Sequence, residues 1–217
     1  MTIIIRPYKQ TDRDAVLHIH WETGFIGKSM SSIYTNKKQW AKRAIYYVNK
    51  EPESIFVAED TTKKKVVGYV FGCLDDTTHN AAREMIPEIA HHIFCYPFMN
   101  KKDKKFARNL LSFIWGYLVG KGKLPKEPKN AGHLHINLLP EARGKKVGSK
   151  LLKTFLAYAK EKGVKTIHAD SFQTRLNPNT HFWEKNGFTE FTKAPIDYWK
   201  KYYPKEDINI CFYVKEL

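Results

Sequence analysis

Residues 133–163 constrain this chain more than any other stretch, because a strand pattern, a basic turn and a helix pattern follow one another there without a break. Leu134, Ile136 and Leu138 alternate with His133, His135 and Asn137, which is the two-residue period of a half-buried strand. Pro140 stops that strand, since it has no amide hydrogen to give a ladder. Beyond Gly148, the residues Leu151, Leu152, Phe155, Leu156 and Ala159 recur at three- and four-residue spacing, so an amphipathic helix follows. Between the two lies Arg143-Gly144-Lys145-Lys146-Val147-Gly148.

Such a turn, placed just before a helix, is an anion site. The first turn of a helix has amide hydrogens without partners and carries about half a positive charge. Glycines let the backbone come close to a phosphate, and successive amides form a concave nest. Arg143, Lys145, Lys146 and Lys150 add mobile charge around it. An ordinary connection with a solvated basic turn has the same composition. Two other phosphate loops are excluded. The glycines do not fit a Walker loop, no Gly-Lys-Ser/Thr follows, and the dinucleotide fingerprint needs three glycines.

The stretch resembles the acetyl-CoA-binding motif of the GNAT N-acetyltransferase superfamily, whose loop reads Arg/Gln-x-x-Gly-x-Gly/Ala. Arg143 and Gly148 match its ends, Lys146 stands where the first glycine is expected, and Pro140-Glu141 and Leu151-Leu152 fit its flanks. Farther on, Phe182-Trp183-Glu184-Lys185-Asn186-Gly187-Phe188 resembles the second signature, Phe-Tyr-Glu-Lys-x-Gly-Phe. Two motifs in the right order are more specific than either alone. Gly72-Cys73-Leu74-Asp75-Asp76-Thr77, taken with His133-Leu134-His135-Ile136, is similar to a subgroup that includes the acetyltransferase-like domain of O-GlcNAc hydrolases.

The remainder of the chain suits that order. Ile3 to Arg6 reads as a strand, and Thr11 or Asp12 caps a helix carrying Ala15, Val16 and Ile19 on one side. Lys38 to Val48 forms a second helix, broken by Pro52. Ile55 to Ala58 and Val66 to Phe71 make a hairpin around the charged turn Asp60 to Lys65. Residues 78–130 exceed a minimal core of this family. Ile86, Ile89, Ala90 and Ile93, then Leu110, Leu111, Ile114, Trp115 and Leu118, fit two amphipathic helices that either cover the acceptor cleft or add a layer to the core. Lys165 to Asp170 is a strand, Asn177 caps a helix with Pro178 in its first turn, and Gly187 ends that helix. Phe188 to Phe191 and Ile208 to Val214 close the sheet. The fold class is therefore mixed α/β (α+β), a GNAT-like and mostly antiparallel sheet flanked by helices, with a helical insertion before the cofactor strand. No repeat or linker divides residues 1–217, so one domain is expected.

Composition adds limits. The length of 217 residues suffices for a sizeable core. Cys73, Cys95 and Cys211 are odd in number and widely spaced, which favours reduced thiols in an intracellular, cytoplasmic setting. No apolar run is long enough for a bilayer or a signal peptide, so no membrane partner is expected. A formal charge of +15 attracts anions, nucleic acid included, and weighs against polycationic acceptors.

The resemblance implies direct acetyl transfer from acetyl-CoA, as cosubstrate, to a small-molecule or protein amine. It assigns the pantetheine arm to backbone groups of Ile136, Asn137 and Leu138. It assigns the pyrophosphate to amides from Arg143 through Gly144, Lys145, Lys146, Val147 and Gly148 to Ser149, with Asn177 and Trp183 also near the cofactor. An alkylammonium has no free lone pair, so a base must help deprotonate it. His133 and His135 on one face of the strand are candidates, as are Asp75, Asp76, water or another residue. The His-x-His pair lacks an evident third ligand, so no metal is expected. Trp183 stands where the family frequently has an acidic tyrosine. Indole is too weak an acid for that role, so Trp183 is expected to pack against the cofactor arm, and thiolate can leave unprotonated because thiols have pKa values of about 8.5. Tyr198, Trp199, Tyr202 and Tyr203 precede the final strand, where family members often shape the acceptor pocket. Two further readings stay open: a catalytically weak coenzyme A-binding relative acting as an interaction module, and a basic nucleic-acid-binding domain supported by charge but by no motif.

Overall fold

Alternating apolar residues build seven strands into one sheet: β1 (Ile3–Pro7), β2 (Phe56–Asp60), β3 (Lys65–Cys73), β4 (Gly132–Leu138), β5 (Thr166–Gln173), β6 (Thr189–Pro195) and β7 (Asn209–Glu216). The computed structural model describes residues 2–74, 81–119, 125–175, 179–196, 199 and 201–217, with backbone alone for 81–85 and 180. Strand order is β1-β2-β3-β4-β5-β7-β6. Every neighbouring pair is antiparallel except β4 with β5. Parallel neighbours need a crossover, and α5 (Val147–Glu161) supplies it. This is the mixed, mostly antiparallel sheet that the sequence predicts.

The pleat sorts the central strands between two cores. Leu134 of β4 and Ile167 and Ala169 of β5 pack with Val147, Leu151, Leu152 and Phe155 of α5. Leu151, Leu152 and Phe155 are each 0% exposed, and burying such side chains contributes about 1.5–3 kcal/mol apiece. On the other face, Tyr69, Phe71 and Cys73 of β3 pack under α1 (Arg13–Thr23) and α2 (Lys37–Lys50), which add Val16, Ile19, Ala44, Tyr47 and Val48. Gly163, at φ 81°, closes α5 in the left-handed region, and the Val164 amide donates back to the Ala159 carbonyl at 3.1 Å.

The expected insertion is a helical pair, α3 (Ala81–Phe94) and α4 (Lys101–Leu118). Phe106 and Leu110 of α4 enter a third core with Phe25, Met30, Tyr34 and Trp199, so this helix is knitted to the connection after α1. Asp103 fixes the join by accepting from the Thr35 amide at 2.7 Å and its hydroxyl at 2.5 Å.

Several boundaries differ from the sequence reading, among them the end of β6, which runs on to Pro195 rather than Phe191. β5 continues three residues past Asp170 because β7 pairs along it to Gln173↔Asn209. The short helix α6 (Thr180–Lys185) has Asn179 at its N-cap position rather than Asn177; Asn177 and Pro178 lie outside the described residues. Cys73, Cys95 and Cys211 are free thiols. Among the described residues, no helix is long and apolar enough to cross a membrane.

Candidate active site

The two parallel strands come apart. β4 and β5 pair only at Gly132↔Ile167, His133↔His168 and Leu134↔Ala169, although β4 runs on to Leu138 and β5 to Gln173. Each keeps its outer neighbour beyond that point, β4 with β3 and β5 with β7. The result is a V between two supported strands; the Leu139 amide bonds to the Val67 carbonyl of β3, so by alternation the main-chain groups of Ile136 and Leu138 face the opening while those of His135 and Asn137 face β3. Ile136, Asn137 and Leu138 lie on this arm.

At the open end of β4, a short turn delivers the chain into α5. Gly144 (φ 72°) and Lys146 (φ 59°) are both left-handed, and Lys146 is the helix N-cap without any side-chain cap. The first helical bond runs from the Lys150 amide to the Lys146 carbonyl at 3.1 Å, so the amides of Val147, Gly148 and Ser149 precede it. A Cβ on Gly148 would stand 3.1 Å from the Phe182 ring and 3.4 Å from Leu138, so the helix starts close enough to β4 that any added side chain must push Phe182 aside. Uncapped amides beside a parted strand, with exposed Lys146 and Lys150 near them, fit a diphosphate.

Three sequence expectations need correction or relocation. Arg143 is not mobile charge: its Nε donates to the Leu138 carbonyl at 3.0 Å and a terminal nitrogen to the Gly27 carbonyl at 2.8 Å. Its amide also donates, to the Pro140 carbonyl at 3.2 Å, and so is not among the open ones. Lys145 likewise reaches back, to the Glu141 carbonyl at 2.8 Å. The physical reason is shared: a tight turn leaves carbonyls without amide partners, and long cationic side chains reach them. Trp183 is 4% exposed and belongs to the core, stacked on Tyr213 at 5.7 Å between ring centres, and its indole nitrogen has no partner among the described residues.

The other face of the V carries side chains instead. His133 Nδ1 lies 3.1 Å from the Tyr47 hydroxyl and Nε2 3.2 Å from Asp170 Oδ1. The His168 ring is 5.0 Å from that of His133. Burial alone would raise the Asp170 carboxyl, but the His133 hydrogen bond and the nearby His133, His135 and His168 outweigh it and hold the group at about 2. An ionised carboxylate only accepts, so Nε2 of His133 carries a proton and, in the neutral ring, Nδ1 accepts from Tyr47. His135 stacks on Phe71 at 5.5 Å and stands 6.0 Å from His20. Burial pushes the His135 pKa down, partly offset by Asp170, which favours the neutral imidazole. Asn137 Nδ2 donates to the Tyr69 hydroxyl at 2.8 Å, and that hydroxyl is 3.0 Å from His20 Nδ1. Burial, then His135 and Arg43, keeps His20 well below its ordinary value.

His133 and His135 thus come together at the apex, while Asp75 and Asp76 lie outside the described residues. Trp199 is 2% exposed and packs on Phe25 at 5.3 Å and Phe172 at 6.0 Å; Tyr202 and Tyr203 are half-buried, and Tyr198 lies outside the described residues. Sequence reasoning missed Asp170, Tyr47 and His20. For Asp170 a signal existed, since His168 and Asp170 alternate on β5 as His133 and His135 do on β4. Among the described residues, no group of three or more histidine, cysteine or acidic side chains is placed to hold a metal ion.

A model of the acetyltransferase (GNAT) family matches residues 13–188. A search among curated proteins gave no match. Among solved structures, the chain is similar to SsHAT, at 24% identity and TM-score 0.63, over 100% of this chain and 98% of that one. It is also similar to mosquito arylalkylamine N-acetyltransferase like 5b (18%, TM-score 0.57) and to a polyamine N-acetyltransferase of Drosophila melanogaster (13%, TM-score 0.59), each over 100% of both chains. At such identities the likeness is one of fold.

Proposed function

The chain belongs to the GNAT acetyltransferase family, and we propose that it moves an acetyl group from acetyl-CoA directly to a primary amine, with both substrates held at once. The observation that carries this reading is the parting of β4 from β5 after Leu134↔Ala169, next to the uncapped start of α5. The V gives a thioester and an amine access to one point from opposite faces of the sheet, and holding both there removes much of the entropic barrier.

On the α5 side, main-chain groups of Ile136 and Leu138 hold the pantetheine arm, and the turn from Gly144 to Ser149 holds the pyrophosphate. Arg143 supports that turn by tying it to the Gly27 and Leu138 carbonyls. Acetyl-CoA supplies the activated acyl group. On the other side, His133 or His135 takes the proton that the acceptor ammonium must lose before its lone pair is available. His135 is kept neutral by burial and is therefore in the proton-accepting form. Trp183 supplies no acid, and thiolate departs as such. The acceptor is a small-molecule or protein amine, and residues 1–217 act as one domain, since the single sheet runs from β1 to β7.

Melting the protein with and without acetyl-CoA tests the binding half. A ligand of the native state at 100 times its Kd stabilises by roughly 2.7 kcal/mol. Thiol release across a panel of primary amines tests the transfer half. An unchanged melting point at saturating acetyl-CoA sinks the proposal, whereas a shift without thiol release leaves a coenzyme A-binding protein that does not turn over.

A further inference from the structure

β3, β4 and β5 contain one acidic residue among them, Asp170. It is the first residue of β5 beyond the last pair with β4, so it stands at the apex of the V. The alternation puts it on the face of His168 and Phe172, away from Ile167 and Ala169, which lie in the α5 core. One carboxylate oxygen, Oδ1, takes the His133 Nε2 hydrogen at 3.2 Å; Oδ2 has no hydrogen-bond partner among the described residues. The side chain keeps 32% of its surface, whereas its partner His133 keeps 16% and is backed by Tyr47, itself 4% exposed. Asp170 is thus anchored from behind and open in front.

A purely structural role leaves that exposure unused. A carboxylate spent on an ion pair gains most when both oxygens are satisfied, and an exposed pair is worth little. The protein's formal charge of +15 gives no general attraction for a cation, so a cationic acceptor needs a local negative point such as this one. The acceptor of a transferase of this kind arrives as a cation, because alkylamines are protonated near neutral pH.

We infer that Asp170 is the docking point for the acceptor's ammonium group, and that the acceptor is therefore one that arrives as a cation; this rests on the transferase reading above. The ammonium donates to Oδ2 in a charge-assisted hydrogen bond, which brings its nitrogen to the apex. Phe172, next on the same face of β5 and in edge contact with Trp199, gives the carbon skeleton an apolar surface. Asp170 anchors and does not deprotonate. A carboxyl held at about 2 is too weak a base to take the proton of an alkylammonium.

The test uses benzylamine, a cation near neutral pH, and benzyl alcohol, its neutral counterpart, titrated calorimetrically into the protein saturated with coenzyme A. Wild type is expected to prefer the ammonium by about tenfold or more, and Asp170→Asn to lose the preference, as befits one charged hydrogen bond. The kcat/KM of the best amine in the panel falls by a similar factor, chiefly through KM, while the melting shift with coenzyme A stays. Asp170→Ser is carried alongside as a second neutral variant. Equal preferences in wild type and variants, or no preference in wild type, overturn the assignment. Loss of the coenzyme A shift in both variants makes Asp170 structural and overturns it too. A wild-type protein that ignores coenzyme A instead fails the transferase reading itself.

Discussion

The two faces of the parted strands do opposite kinds of work with the same backbone. Toward α5, β4 shows Leu134, Ile136 and Leu138, and polar contacts there come from main-chain amides freed by a turn. Toward α1 and α2, the same strand shows His133, His135 and Asn137, each tied by its ring or amide to side chains of other elements. A main-chain site depends on conformation and tolerates side-chain change, provided no atom intrudes. A side-chain site depends on identity and tolerates little. The comparison predicts that lesions on one face leave the other intact.

The largest effect is expected at Gly148, where Val adds a branch against Phe182 and Leu138. We expect Gly148→Val to weaken acetyl-CoA binding about hundredfold through misplacement of the turn, and to cost about 1–3 kcal/mol by overpacking. Calorimetric titration and melting read both numbers, and undiminished coenzyme affinity breaks the comparison. His133→Ala should do the reverse, lowering turnover by about hundredfold as for a lost general base while the acetyl-CoA melting shift stands. Loss of both together would merge the two faces into one.

Asp170 sharpens the picture through acid. Its folded pKa of about 2 lies below the unfolded value of about 3.9, so the ionised form is favoured by folding. That stabilisation is complete above about pH 4 and is lost as pH falls through about 2. The melting gap between wild type and Asp170→Asn should therefore be widest above pH 4 and close toward pH 2; a gap constant across that window contradicts the His133 pairing. Smaller again is Lys146→Gly. Its left-handed backbone costs a side-chain-bearing residue about 1 kcal/mol, so glycine should raise the melting point with coenzyme binding retained. Smallest of all, Trp183→Tyr should leave turnover unchanged, because the side chain sits in the core against Tyr213. A gain in turnover would return an acid role to that position.

The α5 face was legible from the chain alone because its signals are local. An alternating strand, a proline stop, a glycine-bearing turn and a helical period all fall within residues 133–163. What stayed hidden was partnership at a distance. Tyr47 is 86 positions from His133, Asp170 is 37 away, and Gly27, whose carbonyl holds Arg143, is 116 from it. Periodicity told which face His133 points to, but not what waits there. The same holds for the turn's basic residues: composition reports their charge, and only the folded turn shows that Arg143 and Lys145 are engaged by carbonyls.

Strand β7 follows β6 in the chain yet lies between it and β5. While such a protein is being made, β6 leaves the ribosome before the strand on which both its pairing and half of that of β5 depend. Until β7 emerges, one wall of the opening between β4 and β5 is a raw edge offering unpaired amides to any passing extended peptide. Chaperone dependence and sensitivity to translation rate should accordingly concentrate in the interval between the emergence of β6 and that of β7, however well the earlier elements have already set.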